Sequence, residues 1–165
     1  MLVSGGAKGV DSHALASAIE AGGRSVGVLA DSLMKESTKK PSREAMLEGR
    51  LCLMSEVHPE ARFESGNAMA RNRLAHAGAD ASLVVECEPN KGGTWAGSLD
   101  ALKGGKVVYV VKGALAESHL VERGAISVSE EFACAPERLI AHEMPEGAEP
   151  PASTQSLFDD LGLGL

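Results

Sequence analysis

Five short apolar runs recur through the first two thirds of this sequence, each separated from the next by a stretch of helical composition that ends in glycine, and that alternation leaves few folds open. Leu2-Val3 runs into Ser4-Gly5-Gly6-Ala7-Lys8-Gly9. Residues 10–21 then carry Ala and Leu at helical spacing, stop at Gly22-Gly23, and give way to a second apolar run over 24–30. Strand, tight turn, helix, glycine stop and strand form a βαβ unit of about the minimum length for such a crossover, so its strands are expected to be parallel. Downstream, 42–49 reads as a helix capped by Ser42, 51–56 as a third strand and 66–77 as a helix. A fourth strand is expected over 81–86, a helix over 94–103 ended by Gly104-Gly105, and a fifth strand over 107–111. Residues 114–142 are less regular, with helices near 118–123 and 136–140. The expected class is α/β, a doubly wound, mostly parallel sheet of about five or six strands flanked by helices.

Composition agrees with that class. Apolar residues make up 44% of the 165 but aromatics only 3%, so the core must be filled by Ala, Val, Leu and Ile, as in a parallel sheet covered by helices. The length suits one domain, expected over 1–143, followed over 144–165 by a flexible acidic tail that contains proline. No apolar run reaches membrane-spanning length and the N-terminus lacks a signal pattern, so the expected location is cytoplasmic, with no membrane partner. Cys52, Cys87 and Cys134 are too scattered for a disulfide framework or a zinc site. His13, His58, His76, His119 and His142 show no metal spacing, so no metal and no cofactor are expected. A net charge of −7 means that nucleic-acid binding would need a local basic patch rather than a global field.

In an open parallel sheet, ligands collect at the carboxyl ends of the strands, where helix N-termini present free N–H groups. Two glycine clusters follow strands here. Ser4, Gly5, Gly6, Lys8 and Gly9 could bring backbone amides and one ammonium to a phosphate. Lys91, Gly92, Gly93 and Thr94 offer a second such turn, with Thr94 read as a helix N-cap. The first fits neither the P-loop nor the dinucleotide fingerprint. Two loops on one sheet would converge on one crevice, and that favours binding over mere turning. Arg71, Asn72 and Arg73 add two guanidiniums that cannot share a helix face, so one is expected to point at the crevice while the other pairs with a carboxylate; the plainer alternative is a solvated helix face. Trp95 could stack on a base or fill the core. For catalysis, Glu56 and Glu86 at strand ends are the only acid/base candidates, and a carboxylate there serves equally well to hold an amide; no catalytic residue is assigned.

Ser-Gly-Gly-Ala-Lys-Gly-Val-Asp (4–11), Ala-Gly-Gly-Arg-Ser-Val-Gly-Val-Leu (21–29), Met-Ser-Glu (54–56), Ala-Met-Ala-Arg-Asn-Arg (68–73), Leu-Val-Val-Glu (83–86) and Gly-Gly-Thr-Trp-Ala-Gly (92–97), in that order, resemble the DprA/Smf DNA-processing family over residues 2–111. The resemblance implies a Rossmann-like domain that binds single-stranded DNA without hydrolysing it, as a dimer, and passes it to a RecA-type recombinase. It matches Arg71, Asn72 and Arg73 directly. Lys8 stands where the family has arginine, Leu15 where it has histidine, and Gly92-Gly93-Thr94-Trp95 where it has a serine-containing loop. The family has a further strand and helix before the first glycine loop, so either the start is truncated or the sheet is a strand shorter, which would expose apolar edges and favour dimers.

Within the same wider superfamily, the alternative is a small-molecule nucleotide sensor or a nucleotide N-glycosidic hydrolase. The hydrolases carry a proline before the glycine loop and a glutamate after its threonine, both missing here, so binding ranks above hydrolysis. Gln155, Leu157 and Phe158 resemble a sliding-clamp docking peptide, against which stands the plainer reading of a tail that packs back on its own domain.

Overall fold

A helix intervenes between each strand and the next along the chain, and every strand pairing is accordingly parallel. The computed structural model describes residues 1–141 and 145. Six strands form two three-stranded sheets, within two compact units that meet in sequence at Gly78 and Ala79. The α/β class, the parallel pairing and the number of strands agree with the expectation from sequence; the hydrogen-bonded ladder divides into three and three.

The first unit contains β1 (Leu2–Ser4), α1 (Val10–Glu20), β2 (Ser25–Leu29), α2 (Leu33–Thr38), α3 (Lys40–Leu47), β3 (Leu51–Ser55) and α4 (Ser65–Ala77), with strand order β1-β2-β3. Successive residues of β2 point to opposite faces. At Gly27 a Cβ would lie 2.8 Å from Leu53 Cδ2 and 3.9 Å from Leu15 Cδ1, so the missing side chain lets α1 and β3 close over that face. Val28, on the other face, is buried and shares a cavity wall with Ala70 and Arg71 of α4.

The second unit contains β4 (Ala81–Val84), α5 (Gly92–Lys103), β5 (Val107–Val111), α6 (Glu117–Val121), β6 (Ile126–Val128), α7 (Glu130–Ala133) and α8 (Pro136–Ile140), in strand order β4-β5-β6. β5 is an unbroken apolar run because it is buried on both faces. Val108 and Val110 pack with Trp95, Ala101 and Leu120 from α5 and α6. Tyr109 packs with Ile126, Val128 and Phe132, against which Leu139 of α8 also lies.

Four helices hand the chain to the following strand by one device. After α1, Gly22 N–H donates to Ile19 and Gly23 N–H to Ala18; the same pair of bonds recurs at Gly49-Arg50, Gly105-Lys106 and Gly124-Ala125. This is the Schellman closure, and its first residue must be left-handed, as φ +78 at Gly22 shows. α4 ends differently, with Gly78 at φ −83. Gly22→Ala is therefore expected to cost about 1 kcal/mol in thermal or urea unfolding, although nothing crowds the added methyl, while Gly78→Ala is neutral or slightly stabilising.

Several details differ from the sequence reading. Ser42 does not cap α3. The helix starts at Lys40 with Pro41 in its first turn, where a fixed φ is favourable, and Ser42 Oγ instead donates to Glu36 at 3.0 Å. β4 stops at Val84, two residues early, because Glu86 turns to accept backbone amides. β6 and the short helices α2 and α7 were not expected. No helix among the described residues is long and apolar enough to cross a membrane. The tail expected over 144–165, with Gln155, Leu157 and Phe158, lies outside the described residues apart from residue 145, and His142 lies outside them as well.

Candidate functional site

In the first unit, Ser4 closes β1 and the chain then turns through Gly5, Gly6, Ala7, Lys8 and Gly9 into α1. Gly9, at φ +97 and ψ −130, takes a conformation that only glycine adopts freely, and it sets the entry to the helix. The loop therefore delivers the first amides of α1, which have no acceptor within the helix, to the carboxyl end of a parallel strand. Lys8 is exposed beside them. Asp11, in the first turn of α1, accepts a long 3.4 Å bond from Ala7 N–H and takes part of the positive end of the helix for itself.

Arg71 is the inward member of its pair. It is 9% exposed, and its Nη1 donates to the carbonyl of Gly5 and, at 3.2 Å, to that of Val28. Gly5 is buried against the same guanidinium, which a Cβ on Gly5 would overlap. Burial pushes the Arg71 pKa down, and the nearby Asp11 and Asp31 carboxylates counteract it, so the side chain stays cationic. Arg73 is exposed and Asn72 half-buried, as two positions out of phase on one helix require. Of the basic residues over 35–50, Lys39 pairs with Glu36 at 2.6 Å, Lys40 with Glu44 at 3.9 Å and Arg50 with Glu48.

In the second unit, Gly92, at φ +81, turns the chain into α5. Lys91 is the N-cap, not Thr94. Thr94 lies inside the first turn, where its carbonyl accepts from Ser98 Oγ at 2.7 Å. The amides of Gly92, Gly93 and Thr94 consequently form the open N-terminus of a three-turn helix at the carboxyl side of β4, an arrangement suited to an anion. Lys91 is exposed and pairs with Glu88 at 2.6 Å, a surface ion pair weak enough to yield to a phosphate. Trp95 is a core side chain, 6% exposed, edge-on to His119 at 6.4 Å, with Arg123 5.4 Å from its ring. A base could stack on it only by displacing that packing.

Glu86 accepts two backbone bonds of 2.9 Å through Oε1, from Cys87 N–H and Leu115 N–H. Glu117, which the sequence reading did not single out, accepts from Gly113 N–H and from Ser127 Oγ, each at 2.6 Å. The two carboxylates clamp the loop between β5 and α6, and this is the amide-holding role that competed with acid/base chemistry at Glu86. Burial, and then the Glu86 charge, push the Cys87 thiol up, so it is not a poised nucleophile. The Ser127 and Gly113 bonds hold the Glu117 carboxyl below the ordinary 4.5 of a glutamate. A lowered pKa stabilises the fold above that ordinary value and ceases to do so as pH falls through the folded-state pKa. Glu117→Gln should accordingly destabilise most near neutral pH, and the gap between variant and parent in melting temperature should close below pH 4.5.

Glu56, the other acid/base candidate, follows β3 and lines a cavity with Asn67 and Arg71. Asn67 was not anticipated, although its i, i+4 spacing to Arg71 places both on one face of α4. No cluster of three His, Cys, Asp or Glu that could hold a metal ion occurs among the described residues.

The family model of DNA recombination-mediator protein A matches residues 1–135. The chain is 27% identical over 155 residues to the DNA processing protein DprA of Bacillus subtilis, a match that covers 88% of this chain and 52% of that protein. The fold is similar to the crystal structure of DprA from Streptococcus pneumoniae, with a TM-score of 0.65 and 25% identity, over 82% of this chain and 50% of that one. It is also similar to DprA from Helicobacter pylori, a structure described for its single-stranded DNA binding mode, with a TM-score of 0.64 and 24% identity over 83% of this chain and 65% of that one. The chain thus spans about half the length of the curated relative it matches.

Proposed function

The chain belongs to the DNA recombination-mediator protein A family, and on that premise we propose that it binds single-stranded DNA in DNA processing and recombination, without catalysing a reaction on it. The observation that carries this reading is the pair of open helix N-termini, one after β1 and one after β4, each beside an exposed lysine. Phosphates are held by the amides of the Ser4, Gly5, Gly6, Lys8 and Gly9 loop and of Gly92, Gly93 and Thr94, with Lys8, Lys91 and Arg73 supplying charge. Asn72 reaches the strand from the same helix as Arg73. Arg71 acts from behind, through the carbonyl of Gly5. The single-stranded DNA bound by the Helicobacter pylori protein supports this ligand. We extend the proposal to a cytoplasmic homodimer that passes its strand to a RecA-type recombinase.

The engagement of Glu86 with two amides speaks against the N-glycosidic hydrolase, since that carboxylate already has a structural task. The nucleotide sensor is separated from the DNA reading by competition. A labelled single strand bound to the full chain should resist millimolar AMP and yield to unlabelled strand. Displacement by AMP at micromolar concentration would instead assign the loops to a mononucleotide.

A further inference from the structure

Lys91 and Glu88 meet across a tight turn in the second unit. Pro89 and Asn90 form its corners, Asn90 in the left-handed region at φ +60, and Lys91 N–H closes it on the Glu88 carbonyl at 3.4 Å. The turn sets the two side chains alongside one another, with Lys91 Nζ 2.6 Å from Glu88 Oε2. Lys91 is also the N-cap of α5, a helix without a side-chain cap, so Glu88 takes the ammonium and leaves the amides of Gly92, Gly93 and Thr94 open. The loop after β1 differs in this respect: among the described residues, Lys8 forms no ion pair.

We propose that Glu88 is an autoinhibitory counter-ion, which occupies the Lys91 ammonium in the free protein and is displaced when a strand phosphate reaches the N-terminus of α5. The inference rests on the single-stranded DNA reading above. The side chains of Lys91 and Glu88 are 75% and 56% exposed, so their pair is held weakly against solvent and is open to exchange. A phosphate gains the ammonium and the open amides together, whereas Glu88 holds the ammonium alone. The exchange therefore favours a phosphate, and Glu88 keeps the lysine neutralised until one arrives. Lys8, without such a counter-ion, offers its charge at once.

The test is a double-mutant cycle on the full chain, read as affinity for a labelled single strand at a salt concentration low enough that Lys91→Ala still binds. Glu88→Gln should bind about fivefold more tightly than the parent. Part of that gain is the loss of repulsion between carboxylate and phosphate, and this part survives without Lys91. The part that comes from releasing the lysine does not, so in the Lys91→Ala background Glu88→Gln should gain only about twofold. In the Lys8→Ala background the full gain should remain. Both residues are exposed on a turn, so melting temperature should not change in any of these proteins. A gain as large in Lys91→Ala as in the parent, or no gain at all, overturns the counter-ion while strand binding itself still stands. Binding absent from the folded parent and from folded Glu88→Gln alike overturns both.

Discussion

Arg71→Met is expected to destabilise the protein by about 3 kcal/mol in urea unfolding followed by far-UV circular dichroism. Methionine keeps the length and the apolar stem of the side chain, so the change isolates the guanidinium. What is lost is the donor to two buried carbonyls, Gly5 and Val28, and an unsatisfied buried acceptor costs roughly 1–3 kcal/mol. Gly5→Ala strikes the same contact from the other side, because its methyl would overlap the guanidinium. The two changes should not add: methionine vacates the space that the alanine needs, so the double variant should be more stable than the sum of the single losses implies. An Arg71→Met protein within 0.5 kcal/mol of the parent would mean that the loop after β1 is held by something other than Arg71.

Trp95→Ala is expected to cost about 3–5 kcal/mol, the usual loss for a large buried aromatic. The indole packs among Val108, Val110 and Leu120, and its face and edge are occupied by Arg123 and His119. Trp95→Leu fills part of that space, and in conditions where it is folded its affinity for single-stranded DNA should remain within twofold of the parent. A stacking platform would behave otherwise, since loss of one base–aromatic contact weakens binding by about 1–3 kcal/mol. A folded Trp95→Leu protein with tenfold weaker binding would return Trp95 to the site.

What could be read from the sequence follows the range over which each signal acts. The alternation of apolar runs and glycine-ended helices is local, so β1 to β5 and, α2 apart, the helices between them are legible to within a few residues. β6 has three residues, Ile126 to Val128, too few to show a period in an irregular stretch. α2 opens on Ser32 in a left-handed conformation, without an apolar stripe to announce it. α7 did carry a readable signal: Ser129 Oγ accepts from Phe132 N–H, a serine cap followed by Glu130 and Glu131 in the first turn. The site divides similarly. Glycine loops at strand ends and the out-of-phase Arg71 and Arg73 are visible in the sequence. That Arg71 ties down Gly5, 66 positions away, is a tertiary fact, as are the bonds that take Glu86 out of play.

The central claim is that in each unit an exposed lysine beside a helix N-terminus holds phosphate of single-stranded DNA, and a salt titration tests it most directly. Fluorescence anisotropy of a labelled strand of ~20 nucleotides should show binding whose log K falls linearly with log salt, with a slope of about 0.7 for each phosphate neutralised. Lys8→Ala and Lys91→Ala should each weaken binding at low salt and lower that slope by about 0.7, with melting temperature unchanged. Binding absent from the folded chain, or binding that neither salt nor these two substitutions affect, would contradict the account.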